Sequence, residues 1–265
     1  MLRLGRLAGL LLCASGLGLG HPVTAAESGP PGQTLPKGEA ADSGNAFYQF
    51  YEQRYKEAQK RASQLTNNFT AAWEWARACF DLGEFATNDT QRAAVAEEGI
   101  MASRRAIELK ADHAAGHYYL GMNLGQLART KNLGALRLVK EMQDAFYRAR
   151  ELDAHFDFAG ADRCLGLLYR DAPGWPISVG NRGLARQHLL QAVQLAPLFP
   201  ENPLNWAETL WQWRQTQDAR KQLPAVQRAF DHARTNLTGA VWAASWRDWT
   251  NRWNILLQRL QQGAK

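Results

Sequence analysis

The sequence predicts an all-α protein, a tetratricopeptide-like helical-repeat solenoid of antiparallel helix pairs with a C-terminal capping helix. Three observations predict it. A short pattern recurs as "ASQLTN" from Ala62, "AIELKA" from Ala106, "ARELDA" from Ala149 and "AVQLAP" from Ala192, at spacings of 44, 43 and 43 residues. Self-similarity at a fixed period of this size marks stacked repeats. A small residue, Ala76, Gly121, Gly166 or Ala207, recurs at a similar point in the helix that follows each copy. Small residues there let neighbouring helices approach closely. Finally, Trp242, Trp246, Trp249, Trp253, Leu256 and Leu260 alternate by four and three, which gives one long helix an apolar seam.

The elements follow in order. Residues 1–26 carry Arg3 and Arg6, an apolar core from Leu7 to about Leu19, and small residues up to Ala26. That is the layout of a secretory signal peptide, and its core is too short to cross a bilayer comfortably. An exported, periplasmic protein is therefore expected. Cys13 lies where a lipoprotein acceptor would sit, but Leu12 precedes it where a small residue is needed, which favours a soluble product over a lipid-anchored one. Residues 27–44, rich in Pro, Gly and small polar residues, read as a flexible linker.

The repeat domain is expected over 45–265. One helix covers about 45–65. Four pairs follow: 70–85 with 90–109, 113–129 with 133–152, 160–171 with 181–195, and 203–215 with 218–234. A final helix runs from about 240 to 262. Thr70, Asp112 and Asn181 are suitable N-caps. "ENPLNWAE" places Asn202 at an N-cap and Pro203 at the first helical position. The period exceeds the 34 residues of the standard tetratricopeptide repeat, so helices or turns are longer here.

Charge and chemistry narrow the function. The whole chain has a formal net charge of +6, and without residues 1–26 it has 29 basic and 25 acidic residues. So small an imbalance gives no reason to expect nucleic acid. Cys79 and Cys164 fall within apolar helical patterns in non-adjacent repeats and read as buried thiols. His113 and His117 in "HAAGH" have the i, i+4 spacing of a zinc-protease helix without its glutamate, and no third ligand suggests itself. No nucleophile elbow, phosphate loop or catalytic constellation is present. No catalytic residue, metal or cofactor is therefore expected.

Binding is the natural use of a curved array, whose first helices line a concave wall. Tyr118, Tyr119, Asn123, Arg163, Tyr169 and Trp206 fall on those helices, as wall residues or as core. The stretch "YRDAPGWPISVGN" (169–181) breaks the helical pattern, with Pro173 and Pro176 stiffening it. Trp175 and Pro176 there form either a rigid contact element or a plug over a helix end. The tryptophan seam has two readings as well: a cap buried on the preceding pair, or a surface for a partner or apolar ligand.

Three stretches, "AAGHYYLGMNLGQLARTKNLGALRLVKEM" (114–142), "AGADRCLGLLYRDAPGWPISVG" (159–180) and "LAPLFPEN" (195–202), resemble the T component of TRAP transporters in order and setting. The resemblance covers about residues 45–262. It implies a periplasmic protein of degenerate tetratricopeptide repeats, able to form a homo-trimer. It also implies partnership with the transporter's substrate-binding protein and the handling of a small apolar ligand. Several such proteins are lipoproteins, and the poor setting of Cys13 departs from that pattern. The alternative is a cell-envelope protein-protein interaction scaffold unrelated to transport.

Overall fold

The computed structural model describes residues 40–131 and 135–262, with side chains described from Asn45 onward. The expected signal peptide, Cys13 and residues 27–39 of the expected linker lie outside the described residues. Ten helices are present among the described residues: α1 (Ala40–Gln64), α2 (Phe69–Glu84), α3 (Asp89–Leu109), α4 (Ala114–Arg129), α5 (Ala135–Leu152), α6 (Phe156–Asp171), α7 (Arg182–Leu195), α8 (Glu201–Gln212), α9 (Thr216–Asn236) and α10 (Ala240–Gln262). None of the described helices is long and apolar enough to cross a membrane. Helix α1 begins at Ala40, inside the stretch expected to be linker.

Side-chain caps define four of the starts. Asn68 accepts from the Ala71 amide at 2.9 Å, Asn88 from Gln91 at 2.9 Å, and Asn181 from Leu184 at 3.0 Å. Each satisfies one of the amides that a first helical turn leaves unpaired. Asn181 caps as expected. Thr70 and Asp112 do not: Asn68 caps α2, and His113 caps α4 by accepting from Ala115 at 3.2 Å through Nδ1. At α8 the cap position is Pro200 with no side-chain bond, so Asn202 and Pro203 fall within the first turn. Proline is tolerated there because first-turn amides have no intrahelical acceptor.

The repeating small residues sit where helices touch. A Cβ on Gly121 would meet the Phe146 ring of α5 at 2.6 Å, and one on Gly166 would meet Leu189 of α7 at 2.6 Å. Ala76, Ala207 and the repeat alanines Ala106, Ala149 and Ala192 are fully buried. Cys79 and Cys164 are free and buried.

Helix α10 closes the array by reaching both of its ends. Its Trp249 meets Phe199 at 5.5 Å and its Trp246 meets Phe230 of α9 at 5.8 Å. Near its start, the Val241 carbonyl accepts from Tyr51 of α1 at 3.4 Å, and Arg247 lies over the Phe47 ring at 4.4 Å. Arg252 pairs with Glu208 of α8 at 2.6 Å. The seam is therefore mostly covered, with Trp242, Trp249, Leu256 and Leu260 buried and Trp246 and Trp253 half-buried.

One local feature had no signal in the periodicity. Asp157, Phe158 and Ala159, at the start of α6, have φ of 51°, 55° and 61°, a single left-handed turn. Each L-residue there costs about 1–2 kcal/mol. The turn is held from both sides. Arg163 donates to the Asp157 carboxylate at 2.8 Å and to the Phe158 carbonyl at 3.2 Å, while Asn202 of α8 donates to that same carbonyl at 3.0 Å.

Candidate functional site

A cleft of about 1220 Å³ runs along α3. Ala72 and Trp75 of α2 and Leu124 and Leu127 of α4 contribute to an apolar floor. Ile100 and Met101 of α3 and Leu138 of α5 extend it, and Met101 stays 55% exposed. Lys56 and Lys60 of α1 stand on one wall, while Arg104 and Arg105 rise from α3. The two arginines are occupied: Arg104 pairs with Glu141 at 2.8 Å and Arg105 with Glu108 at 3.0 Å. Arg105 also donates to the Thr66 carbonyl at 3.2 Å, which ties α3 to the α1–α2 turn. The chemistry available is an apolar surface under a charged rim, suited to holding an apolar body with its polar end toward water.

Of the eight residues singled out from the sequence, the six that could be wall or core are core. Tyr118, Tyr119, Asn123, Arg163, Tyr169 and Trp206 are each at most 4% exposed. Tyr119 stacks on Trp73 at 5.9 Å, and Tyr118 meets Phe156 edge-on at 5.4 Å. Asn123 donates to the Ala76 and Tyr119 carbonyls at 2.9 and 2.8 Å. The Tyr169 hydroxyl is shared with Gln143 at 2.6 Å and Tyr147 at 2.8 Å. The Trp206 ring meets Trp213 at 6.1 Å, with Arg186 over it at 5.2 Å.

Trp175 and Pro176 are exposed, and Trp175 is 89% so. Their loop is fixed nonetheless: the Gly180 amide donates to Pro173 at 2.8 Å and that of Asn181 to Tyr169 at 2.9 Å. A Cβ on Gly180 would come within 2.1 Å of the Ala172 carbonyl, so only glycine fits where the two ends of the loop cross. Of the two histidines, His113 is the α4 cap and His117 contacts the Ala111 carbonyl at 3.0 Å through Nε2.

Two buried polar clusters were not foreseen. Asp162, fully buried, accepts from Arg150 at 2.9 Å and meets His188 Nδ1 at 2.7 Å. Glu201, also fully buried, has Arg163 and Arg252 at 3.7 Å on either side, and neither of its oxygens has a hydrogen-bond partner. Burial pushes the Glu201 carboxyl up to about 7, against the pull of Arg163 and Arg252. Burial raises Asp157 as well, opposed by Arg163 and by the Tyr118 hydroxyl, which donates to it at 2.6 Å. The available signal was an acid set among small and apolar residues, in "AGADRCLG" and "LFPENPLNWA".

These features define a helical-repeat protein with an apolar cleft along α3. Over residues 37–158 the chain is similar to a family described as regulator of microtubule dynamics protein 1-3. That stretch contains every residue lining the cleft and ends just inside α6. No curated protein matches the chain.

Proposed function

We propose that the chain is an exported helical-repeat binding protein that serves solute uptake. In this reading it acts beside the substrate-binding protein of a TRAP-type transporter and takes a small apolar ligand into the cleft along α3. The cleft carries the proposal: an apolar floor on the scale of a ligand pocket, lined by the five helices α1 to α5. The resemblance over 114–142, 159–180 and 195–202 supports the transport setting. The test is a pull-down of tagged protein from its own periplasmic extract, with mass spectrometry of what elutes. A near-stoichiometric solute-binding protein is expected; its absence from the eluate contradicts the proposal.

A second reading, a protein-protein interaction scaffold unrelated to transport, is favoured by a different observation. The stretch holding the whole cleft is the one similar to a family whose description concerns regulation rather than transport. In that reading the cleft holds a segment of a partner protein, and the same pull-down returns assembly or regulatory proteins.

A further inference from the structure

Trp175 sits on a loop that leaves no freedom to hide it. The Ile177 and Ser178 amides both donate to the Gly174 carbonyl, at 3.1 and 3.3 Å, and the two ends of the loop are tied at Pro173 and Tyr169. Trp175 and Ile177 are 89% and 54% exposed. An indole held out in water on a fixed loop is organised for contact before any partner arrives, which removes most of the ordering cost of binding.

A receptor for such a ring exists on the same chain. Between α9 and α10 lies a pocket of about 480 Å³ with Phe230, Trp246 and Trp253 in its walls. The Phe230 and Trp253 rings are 5.9 Å apart and tilted by 33°, and Trp246 stands edge-on to Phe230. Trp246 is fixed by its Nε1 donating to the Leu237 carbonyl at 2.7 Å. Arg234 and Thr250 also line the pocket and are exposed. An entering indole therefore finds ring faces and edges, a guanidinium to lie over its face, and a hydroxyl to accept from its N–H.

Knob and pocket do not meet within one chain. Trp175 is 89% exposed, and no residue of its loop lines the α9–α10 pocket, so the loop as fixed leaves both the ring and the pocket without each other. We propose that Trp175 of one copy inserts into the α9–α10 pocket of a second copy. The contact is heterologous, head to tail, and propagates into a ring or an open filament according to its rotation. It is independent of what the cleft along α3 binds.

Sedimentation across a concentration series tests this with two variants at exposed positions. Trp175→Ala removes the knob, and Thr250→Trp fills the pocket. The wild type is expected to associate beyond a dimer, and each variant to associate at least tenfold more weakly, as for an aromatic interface anchor, with unchanged helical circular dichroism and Tm. An equimolar mixture of the two variants is expected to restore dimers and nothing larger, because it offers one knob and one open pocket. A wild type that stays monomeric throughout overturns the proposal. So does association that survives Trp175→Ala, or a mixture that behaves as the sum of its parts.

Discussion

Arg163 and Asp157 form an ion pair of 2.8 Å in which the arginine is fully buried and the aspartate is 4% exposed. The pair fixes the left-handed turn that begins α6, since the same guanidinium also donates to the Asp157 and Phe158 carbonyls. Removing one member of a buried pair leaves the other charge uncompensated. Arg163→Met is therefore expected to lower stability by about 3–5 kcal/mol, read as a fall in the denaturation midpoint. A loss below about 1 kcal/mol, in the range of an exposed pair, would mean that Asn202 alone holds the turn.

Glu201 makes stability depend on pH. Its folded pKa is raised to about 7 by burial, above the ~4.3 of an unfolded glutamate. Proton uptake therefore favours the folded state. The contribution is full below about pH 4.3 and is lost as pH rises through 7. Compared with Glu201→Gln, the wild type should gain on the order of 3 kcal/mol between pH 8 and pH 4.5. Thermal melts of both proteins across that range measure the difference; parallel curves would show that Glu201 titrates normally.

Gly121 of α4 packs against α5 with Phe146 in the way of any Cβ. Gly121→Ala should cost about 1–3 kcal/mol through overpacking. Gly121→Ala combined with Phe146→Leu should recover part of that loss, because the two substitutions share one contact. Additive costs in a double-mutant cycle would place the clash elsewhere.

The C-terminal seam should behave as structure. Trp249 is fully buried against Phe199 and Trp246, so Trp249→Ala is expected to cost about 3–5 kcal/mol. Deleting residues 240–265 should destabilise the whole array, because α10 touches α1 as well as α8 and α9. Circular dichroism melts report both. A truncated protein that stays folded and monodisperse would make α10 an appendage.

Much of this architecture was legible in the sequence because it rests on local rules. The alanine pattern marks the C-terminal ends of α1, α3, α5 and α7, and the predicted start near residue 160 falls where right-handed helix begins after the Asp157–Ala159 turn. The left-handed turn was not legible, since its stability comes from Asn202, about 45 residues away, and from Arg163 reaching back. Asn68, which caps α2, and Thr70, the expected cap, are two residues apart and differ in which backbone position precedes the helix. The residues of α4 and α6 that could be wall or core are core. Periodicity gives the apolar side of a helix but not how much of its remaining surface the rest of the chain covers. Helix α10, which contacts α1 from about 190 residues further along, shows how far such covering reaches. The loop at Trp175 was the reverse case, because prolines and glycines state locally that the chain leaves the helix.

The proposed function requires that the cleft along α3 hold an apolar ligand. Native mass spectrometry of the purified protein beside Met101→Glu tests it directly, since Met101 is half exposed over the apolar floor and its replacement spares the core. A near-stoichiometric apolar ligand is expected on the wild type, reduced at least tenfold in the variant by a carboxylate that loses its water on ligand binding. A wild type without ligand, or equal occupancy in both proteins, would contradict it.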